Sequence, residues 1–258
     1  MIGEIVTQPA AFATPPHSGD PVLQIEDLTL DDHTGRRILD RLSFRVAAGE
    51  IVGIAGVDGN GQTELVELLA GARRPSGGKI TVLDGSSDGA MAVIPQNRDL
   101  DGLILDMRLW ENLILARPLR ERVTSHGWLD TARAIDLCRE LIDRFRIRVP
   151  GPETIAGALS GGNRQRLEVA RAIASRPRVI VAHNICRGLD LAATAEVHRT
   201  ILDFSAGSGA VILISSDLDE LLAICGRLLI ISRGKIRETN RGERDPERLG
   251  LLMAGARD

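Results

Sequence analysis

The sequence predicts an α/β fold with a mainly parallel core sheet, and three observations carry that prediction. Four short apolar runs rich in valine and isoleucine are each followed closely by polar residues or glycine. Helical stretches separate these runs, as they do between parallel strands that are buried on both faces. A glycine-rich loop follows the first run and precedes a helix. The four runs are IVGIAG (51–56), MAVIPQ (91–96), VIVAHN (179–184) and VILISS (211–216).

The segments around these runs can be predicted in chain order. Residues 1–20 are rich in proline, alanine and glycine, and we expect a flexible leader there. VLQIEDLTL and LSFRVAAG alternate partly in polarity, which predicts an antiparallel β portion beside the core sheet. A mostly helical stretch, about 99–160, predicts an inserted helical subdomain. The main domain is expected to span residues 21–245, and residues 246–258 form a C-terminal tail.

Charge and composition exclude several classes of function. The chain has 258 residues and a formal net charge of −3, so it has no basic field for nucleic acid and no polybasic membrane patch. Aromatic residues make up only 2%, which disfavours a stacking platform for single-stranded nucleic acid. We therefore expect no nucleic-acid partner.

Cysteine usage and the N-terminus predict the compartment. The 3 cysteines are far apart and form no CxxC pair, so we expect a reducing environment and neither a disulfide framework nor a zinc site. The N-terminus lacks a secretory signal, and no segment has the roughly 20 apolar residues that span a bilayer. We expect a soluble, cytoplasmic chain.

The loop after the first apolar run has the setting of a P-loop, between a strand and a helix. Its glycines let backbone N–H groups face a phosphate, and Thr63 is placed to ligate Mg²⁺. Gln62 stands where the motif GxxxxGK[ST] has lysine, and Lys79 and Lys235 are not local enough to replace that cation. Because a neutral hydrogen bond is weaker than a charge-assisted one, we expect nucleotide affinity to fall about tenfold or more. An ordinary glycine-rich turn is the alternative. The candidate binding residues are Gly56, Val57, Asp58, Gly59, Asn60, Gly61, Gln62 and Thr63.

A second motif, LSGGN, begins a helix and is followed by Q-x-x-x-x-A-R-A and a buried strand. Its serine and glycine N–H groups can present donors to an anion at the start of the helix. The order of P-loop, PQ, LSGG, buried strand and GLD along the chain resembles that of ABC-transporter ATPases. The motif residues are Leu159, Ser160, Gly161, Gly162 and Asn163.

Within that family the chain resembles the second, degenerate ATPase domain of simple-sugar and nucleoside importers. The likeness covers roughly residues 21–240 and is carried by LSGGN, GVDGNGQTEL, DGLILDMRLWENL and RGLD…EVHR. Most such importers fuse two ATPase domains, and here the second-type domain is expected as a separate polypeptide.

The resemblance implies ATP and Mg²⁺ as cofactors and a signature motif that acts in trans, on the γ-phosphate held by a partner's P-loop. The implied partners are a second ABC ATPase subunit, a membrane permease and a periplasmic or surface solute-binding protein. The implied location is the inner face of the cell membrane.

Several catalytic positions of the family are replaced in this chain. Alignment on the D-loop places His183 and Asn184 where the Walker B aspartate and glutamate belong, and Ser216 where the switch histidine belongs. Histidine is a poor ligand for Mg²⁺ and asparagine cannot act as a base. Gln96 matches the Q-loop. We therefore expect the chain's own site to be inactive. The D-loop match is Gly188, Leu189 and Asp190.

The function predicted is that of an ATP-binding importer subunit whose signature motif completes the ATP site of a catalytic partner. One alternative is an active homodimeric transport ATPase that tolerates Gln62, and it predicts hydrolysis by the chain alone. Another is a soluble ABC protein that acts outside transport, in regulation or on nucleic acid. A decayed, nonfunctional half-transporter is the third.

Some of these side chains also have plain structural interpretations. We interpret His183 as a buried core histidine, and Cys186 as a small buried filler because no nearby histidine or second cysteine supports reactivity. Trp110 is either core or a permease contact. A solvated face, and no nucleic-acid stripe, is expected for Arg164, Arg166 and Arg171.

Overall fold

The antiparallel portion of the fold lies beside the core sheet, as predicted. The computed structural model describes residues 19–83, 90–239 and 245–255, so residues 1–18 of the predicted leader lie outside the described residues. Three antiparallel strands form a sheet in the order β2-β1-β4. Their bounds are β1 Pro21–Asp31, β2 Arg37–Ala47 and β4 Gly77–Val82.

The core sheet has six strands in the order β11-β10-β3-β9-β8-β5. All its pairs are parallel except β10 with β11, so the predicted α/β class is confirmed. Each of the four predicted apolar runs forms one of its strands, and every residue of β3, β8 and β9 is buried. The strands β10 and β11 were not among those predicted. The bounds are β3 Ile51–Ala55, β5 Met91–Ile94, β8 Val179–His183, β9 Ala210–Ser215, β10 Arg227–Ser232 and β11 Lys235–Glu238.

Most of the longer helices begin at a side chain that accepts a hydrogen bond from a first-turn amide. Aspartate does so at the start of α4, α6, α7 and α8, and serine at the start of α5, which satisfies donors that have no partner within the helix. Among the described residues, no helix combines the length and the apolar character needed to cross a membrane. The helices are α1 Gln62–Leu69, α2 Leu109–Ile114, α3 Arg117–Arg122, α4 Thr131–Arg144, α5 Gly161–Ala174, α6 Leu191–Ala206, α7 Leu218–Ile224 and α8 Pro246–Met253.

The helices α2, α3 and α4 pack around an apolar cluster distinct from the two clusters that flank the core sheet. Trp110 is 8% exposed and belongs to this cluster, so its side chain is core. Asn112 is fully buried and holds the preceding turn: its Oδ1 accepts from the Ile104 amide at 2.8 Å, and its Nδ2 lies 3.0 Å from the Ile104 carbonyl. A short β-hairpin lies between α3 and α4, with strands β6 Thr124–Ser125 and β7 Trp128–Leu129.

The expected solvated face of arginines on α5 is wrong for two of its three members. Arg171 points inward and donates to the Gly102 carbonyl at 2.5 Å, so it ties α5 to the segment after β5. Burial lowers the pKa of its guanidinium from the usual value. Arg166 forms an ion pair with Glu196 of α6 and its side chain is 15% exposed. Arg164 donates to the Gly157 carbonyl at 2.8 Å. These arginines hold α5 against its neighbours, which composition could not show.

Residues 246–258, expected as a tail, include the helix α8. Leu249, Leu252 and Met253 are buried in the apolar cluster on one face of the core sheet. The helix therefore contributes to the core of the main domain and ends beside the P-loop, as the contacts of Asn60 show below.

Candidate functional site

One edge of the core sheet collects four of the predicted site segments. The P-loop follows β3, Ser216 follows β9, His183 ends β8 with Asn184 behind it, and Gln96 follows β5. The strands β3, β9, β8 and β5 are neighbours in that order and run parallel, so their carboxyl ends meet at this edge. A ligand site is expected there in an open α/β sheet.

The P-loop has the backbone that its glycines allow. Gly59 and Gly61 adopt φ values of 89° and 108°, in the left-handed region that strains other residues. A Cβ at Gly56 would lie 2.5 Å from Nε2 of Gln62, so the loop closes around the side chain of Gln62. Glycine is therefore required here both for the curl of the loop and for the close approach inside it.

Gln62 fills the interior of this loop. Its side chain is buried, and the residue is 5% exposed. Its Nε2 donates to the Val57 carbonyl at 2.8 Å, and its Oε1 accepts from the Asn60 amide at 3.1 Å. In a phosphate-binding loop, backbone N–H groups such as that of Asn60 face the ligand. Here Gln62, at the position where the motif has lysine, accepts the hydrogen bond of the Asn60 amide. That amide is then not available to a phosphate.

Asn60 fastens the loop to the rest of the domain. Its Oδ1 accepts from the Arg233 amide at 2.8 Å, in the turn between β10 and β11. Its Nδ2 lies 3.1 Å from the Val57 carbonyl and 3.4 Å from that of Met253, at the end of α8. No local pattern predicts these contacts, because they join residues that are about 170 and 190 positions apart.

His183 is buried at the end of β8, at 5% exposed. Burial lowers the pKa of its imidazole to about 4, and the positive charge of Arg187 acts in the same direction. The carboxylate of Asp58 in the P-loop opposes the shift. The imidazole is therefore neutral at neutral pH, and it is a poor substitute for a carboxylate toward a hard cation such as Mg²⁺.

Asn184 is buried, and its polar groups bond to the backbone at the end of β9. It is 6% exposed and has a φ of 48°. Its Oδ1 accepts from the Ser216 amide at 3.1 Å, and its own amide donates to the Ile214 carbonyl at 2.8 Å. These bonds join the ends of β8 and β9. The side chain in the position of the family's catalytic base therefore holds backbone in place.

The donor set at this edge does not fit Mg²⁺-dependent hydrolysis. Thr63 lies exposed in the first turn of α1 and keeps a hydroxyl at the surface, and Gln96 is half-buried after β5. His183, the last residue of β8, and Asn184, which follows it, bring an imidazole and an amide where oxygen ligands and a base are needed. The loop shape suits a phosphate, but the Gln62 amide occupies it.

The signature segment begins α5 and is partly exposed. Ser160 is the residue before the helix, and its Oγ accepts from the Asn163 amide at 3.4 Å. Ser160 and Gly161 are exposed, so the positive end of the helix faces the surface. Asn163 differs: it is 8% exposed, and its side chain bonds to both backbone groups of Arg148 at 3.0 and 3.1 Å.

The D-loop lies next to the signature segment. Asp190 precedes α6 and accepts from the Ala193 amide at 2.8 Å, and Gly188 has a φ of 73°. A Cβ at Gly162 would lie 3.8 Å from that of Ala193, so the starts of α5 and α6 are adjacent. Leu191 is 84% exposed at the same place. The two motifs, predicted separately from the sequence, thus share one surface.

A group of titratable side chains that the sequence analysis missed lies behind this edge. The ligand atoms of Cys186, His198 and Glu220 all lie within 4.8 Å of one another. The interpretation of Cys186 as a filler with no nearby histidine is therefore wrong. The three residues come from the turn after β8, from α6 and from α7, and their spacing along the chain carries no motif.

Comparison with known proteins connects these motifs to a family. A family model described as "ABC transporter" matches residues 39–184. The chain is 36% identical over 98% of its length to a guanosine import ATP-binding protein of Bacillus subtilis (strain 168), and it covers 52% of that protein. It is 34% identical over 92% of its length to a nucleoside import ATP-binding protein of Lactococcus lactis subsp. cremoris (strain MG1363), and covers 49% of it. The chain spans about half the length of these curated relatives.

Solved structures share the fold. An ATP-binding subunit of an ABC transporter superposes with a TM-score of 0.75, over 90% of this chain and 99% of the other, at 19% identity. A metal-chelate type ABC transporter in an inward-facing conformation gives a TM-score of 0.73 at 21% identity, over 91% of this chain and 90% of the other. At such identities the likeness concerns the fold alone.

Proposed function

Because the chain belongs to the ABC transporter family, we propose that it is the ATP-binding subunit of an importer for a simple sugar or a nucleoside. Members of this family bind ATP with Mg²⁺, the cofactors expected from the sequence. The solute class rests on the relatives, whose names specify import of guanosine, nucleosides and ribose. The main domain is proposed to span residues 21–245, with a helical subdomain at about 99–160, and the C-terminal segment 246–258 completes its core through α8.

We propose that the chain's own nucleotide site is degenerate and does not hydrolyse ATP. The observation that carries this is the position of the Gln62 side chain, whose two hydrogen bonds close the P-loop on itself. The neutral His183 and the inward-facing Asn184 support it, because neither can supply the charge that phosphoryl transfer depends on.

We propose that the signature segment serves a second ABC ATPase subunit in trans. Ser160 and the first amides of α5 would face the phosphates of ATP held by the P-loop of that subunit. The exposure of Ser160 and Gly161 and the adjacent D-loop support this, since a surface that completes another subunit's site must be open. Asn163 would not contact the phosphates and would instead position the signature segment through its two hydrogen bonds to the backbone of Arg148.

The permease is proposed to contact the segment that follows Gln96. A cleft of about 430 Å³ opens there between the segment and the end of α2. Leu100, Ile104 and Leu115 line it and are 80%, 44% and 42% exposed. Exposed apolar side chains grouped around a cleft are typical of an interaction surface. The chain would thus lie on the cytoplasmic face of the membrane, through the permease, and serve an external solute-binding protein.

Restoring the P-loop lysine tests the degenerate site directly. Gln62→Lys is expected to tighten ATP binding by the chain alone at least about tenfold, because an ammonium makes a charge-assisted bond to phosphate. Hydrolysis is not expected, since His183 and Asn184 are unchanged. Equilibrium binding of ATP to the purified chain, with and without Mg²⁺, measures the effect.

The matched control is Gln24→Lys on β1, which adds the same charge away from the loop. If Gln62→Lys and Gln24→Lys bind ATP equally tightly, the proposal that the missing lysine weakens ATP binding at the P-loop is wrong. Appreciable hydrolysis by the unaltered chain alone would favour the homodimeric ATPase instead.

The experiment that tests the whole proposal is affinity purification of the tagged chain from its native membranes in MgATP. Mass spectrometry is expected to identify a permease and a second ATPase that has its P-loop lysine. Recovery of the chain alone from the soluble fraction, or with nucleic acid, would overturn the proposal of an importer subunit.

A further inference from the structure

Three side chains of metal-ligating type converge beside the ends of β8 and β9. Cys186 lies in the turn after β8, His198 in α6 and Glu220 in α7. Their ligand atoms all lie within 4.8 Å of one another, and His198 Nε2 is 3.5 Å from Glu220 Oε1. The cluster therefore joins three elements that meet only in the folded chain.

Two polar atoms in this cluster are buried without a hydrogen bond among the described residues. They are Glu220 Oε1 and His198 Nε2, which face each other. Glu220 as a residue is 7% exposed. Its other carboxylate oxygen is satisfied, because the Ser215 hydroxyl donates to it at 2.6 Å. The two atoms pair with each other across a distance longer than an ordinary N–H···O hydrogen bond, so both remain available to a cation placed between them.

The ligand set indicates the class of cation. A thiolate sulfur, an imidazole nitrogen and a carboxylate oxygen are the ligands that Zn²⁺ takes in proteins, whereas Mg²⁺ and Ca²⁺ prefer oxygen alone. Around a tetrahedral Zn²⁺ the ligand atoms stand roughly 3.3 to 3.7 Å apart. The pair His198–Glu220 already has that separation at 3.5 Å, and the widest separation allowed here needs to close by only about 1 Å.

The surroundings orient the carboxylate as outer-shell groups do in metal sites. The Ser215 hydroxyl, which donates to Glu220 Oε2, itself accepts from the Asp217 amide at 3.1 Å. Such a bond fixes which carboxylate oxygen remains for the metal. Glu220 Oε1 is left to face His198 Nε2.

We propose that Cys186 Sγ, His198 Nε2 and Glu220 Oε1 form a binding site for a zinc-class divalent cation, with a fourth position left to water. The thiol loses its proton to solvent on binding, as a cysteine ligand must. The ion joins the turn after β8 to α6 and α7, immediately before the D-loop Gly188–Asp190. The sequence expectation of no zinc site rested on the absence of CxxC pairs, which this arrangement does not need.

Metal titration of the purified full-length chain tests the site. After chelator treatment, Zn²⁺ is added in competition with a chromophoric chelator, and Co²⁺ is added separately to detect a thiolate-to-cobalt charge-transfer absorption. We expect one equivalent of Zn²⁺ to bind, a thiolate band with Co²⁺, and a higher melting temperature with Zn²⁺ present. Cys186→Ser should abolish the band and weaken Zn²⁺ binding at least tenfold.

Matched variants separate this site from other cysteines and histidines. Cys138→Ser alters a buried thiol in the helical subdomain, and His126→Gln alters an exposed imidazole in the hairpin, and both should bind like the parent chain. His198→Gln should bind at least tenfold more weakly while it keeps the thiol. If Cys186→Ser fails to fold by circular dichroism, Glu220→Gln, an isosteric replacement, should still weaken Zn²⁺ binding at least tenfold.

Three results would overturn the proposal. The first is Zn²⁺ binding that is equally tight in the parent chain and in Cys186→Ser or His198→Gln. The second is Co²⁺ binding without a thiolate band, which would leave His198 and Glu220 as a simple ion pair. A band that survives in Cys186→Ser but disappears in Cys138→Ser would place the metal elsewhere and also reject this site.

Discussion

Replacing Ser160 with arginine is expected to lower the ATPase activity of the chain paired with its catalytic partner at least about a hundredfold. Loss of one preorganised donor to a developing oxyanion costs about 10²–10³ in rate, and the long side chain also blocks the start of α5. Ser160 lies at the exposed start of that helix, so the variant should fold normally. The measurement is ATP hydrolysis by the purified, reconstituted pair.

Ser125→Arg is the matched control, because it makes the same replacement at an exposed position in the hairpin after α3. Alanine at Asn184 or His183 should change hydrolysis little, since neither residue is proposed to catalyse. Normal hydrolysis by the pair that carries Ser160→Arg would reject the proposed action of the signature segment in trans.

Acidification is expected to destabilise the chain through His183. Burial lowers the pKa of this imidazole to about 4 in the folded state, from an ordinary value of 6.5. Between these two values the unfolded chain takes up a proton that the folded chain does not. The stability that the folded chain gains from keeping His183 neutral is therefore fully present above pH 6.5. It is lost as the pH falls toward 4. The difference corresponds to roughly 3 kcal/mol in the free energy of unfolding.

Urea unfolding measured from pH 7 to pH 4 checks this expectation. His183→Asn removes the titrating group, so its free energy of unfolding should fall less over that range than that of the parent chain. Parallel curves for the parent chain and His183→Asn would show that His183 does not carry the effect.

The sheet was largely predictable because burial on both faces leaves a local trace. The segments VIVA (179–182) and VILI (211–214) are apolar at every position, since helices cover both sides of a parallel strand. The strand β10 carries a similar run, LLII, although it was not among the strands predicted. The strand β4, GGKITV, contains no fully buried residue, so its sequence has no comparable pattern. Strands that are buried on both faces could therefore be predicted from the sequence, whereas partly exposed strands such as β4 could not.

The candidate site was predictable in its residues and less so in what those residues do. The positions of Gln62, Asn184 and Ser216 followed from motif spacing along the chain. The structure shows that the Gln62 side chain fills the interior of the P-loop and that Asn184 accepts from the Ser216 amide. Both contacts depend on atoms that meet only after folding. The expected exposure of Arg166 and Arg171 failed for the same reason, since their partners lie on other elements.

The sequence by itself determined the α/β class and the order of the motifs, and it led to the proposal that the catalytic side chains are replaced, because each depends on residues close together in the chain. Only the tertiary structure decided that α5 and α6 present the signature segment and the D-loop side by side, and that α8 reaches Asn60. It also decided that Cys186, His198 and Glu220 meet. Parallel strands joined by helical crossovers bring together residues that are distant in sequence, and no local pattern records which of them will touch.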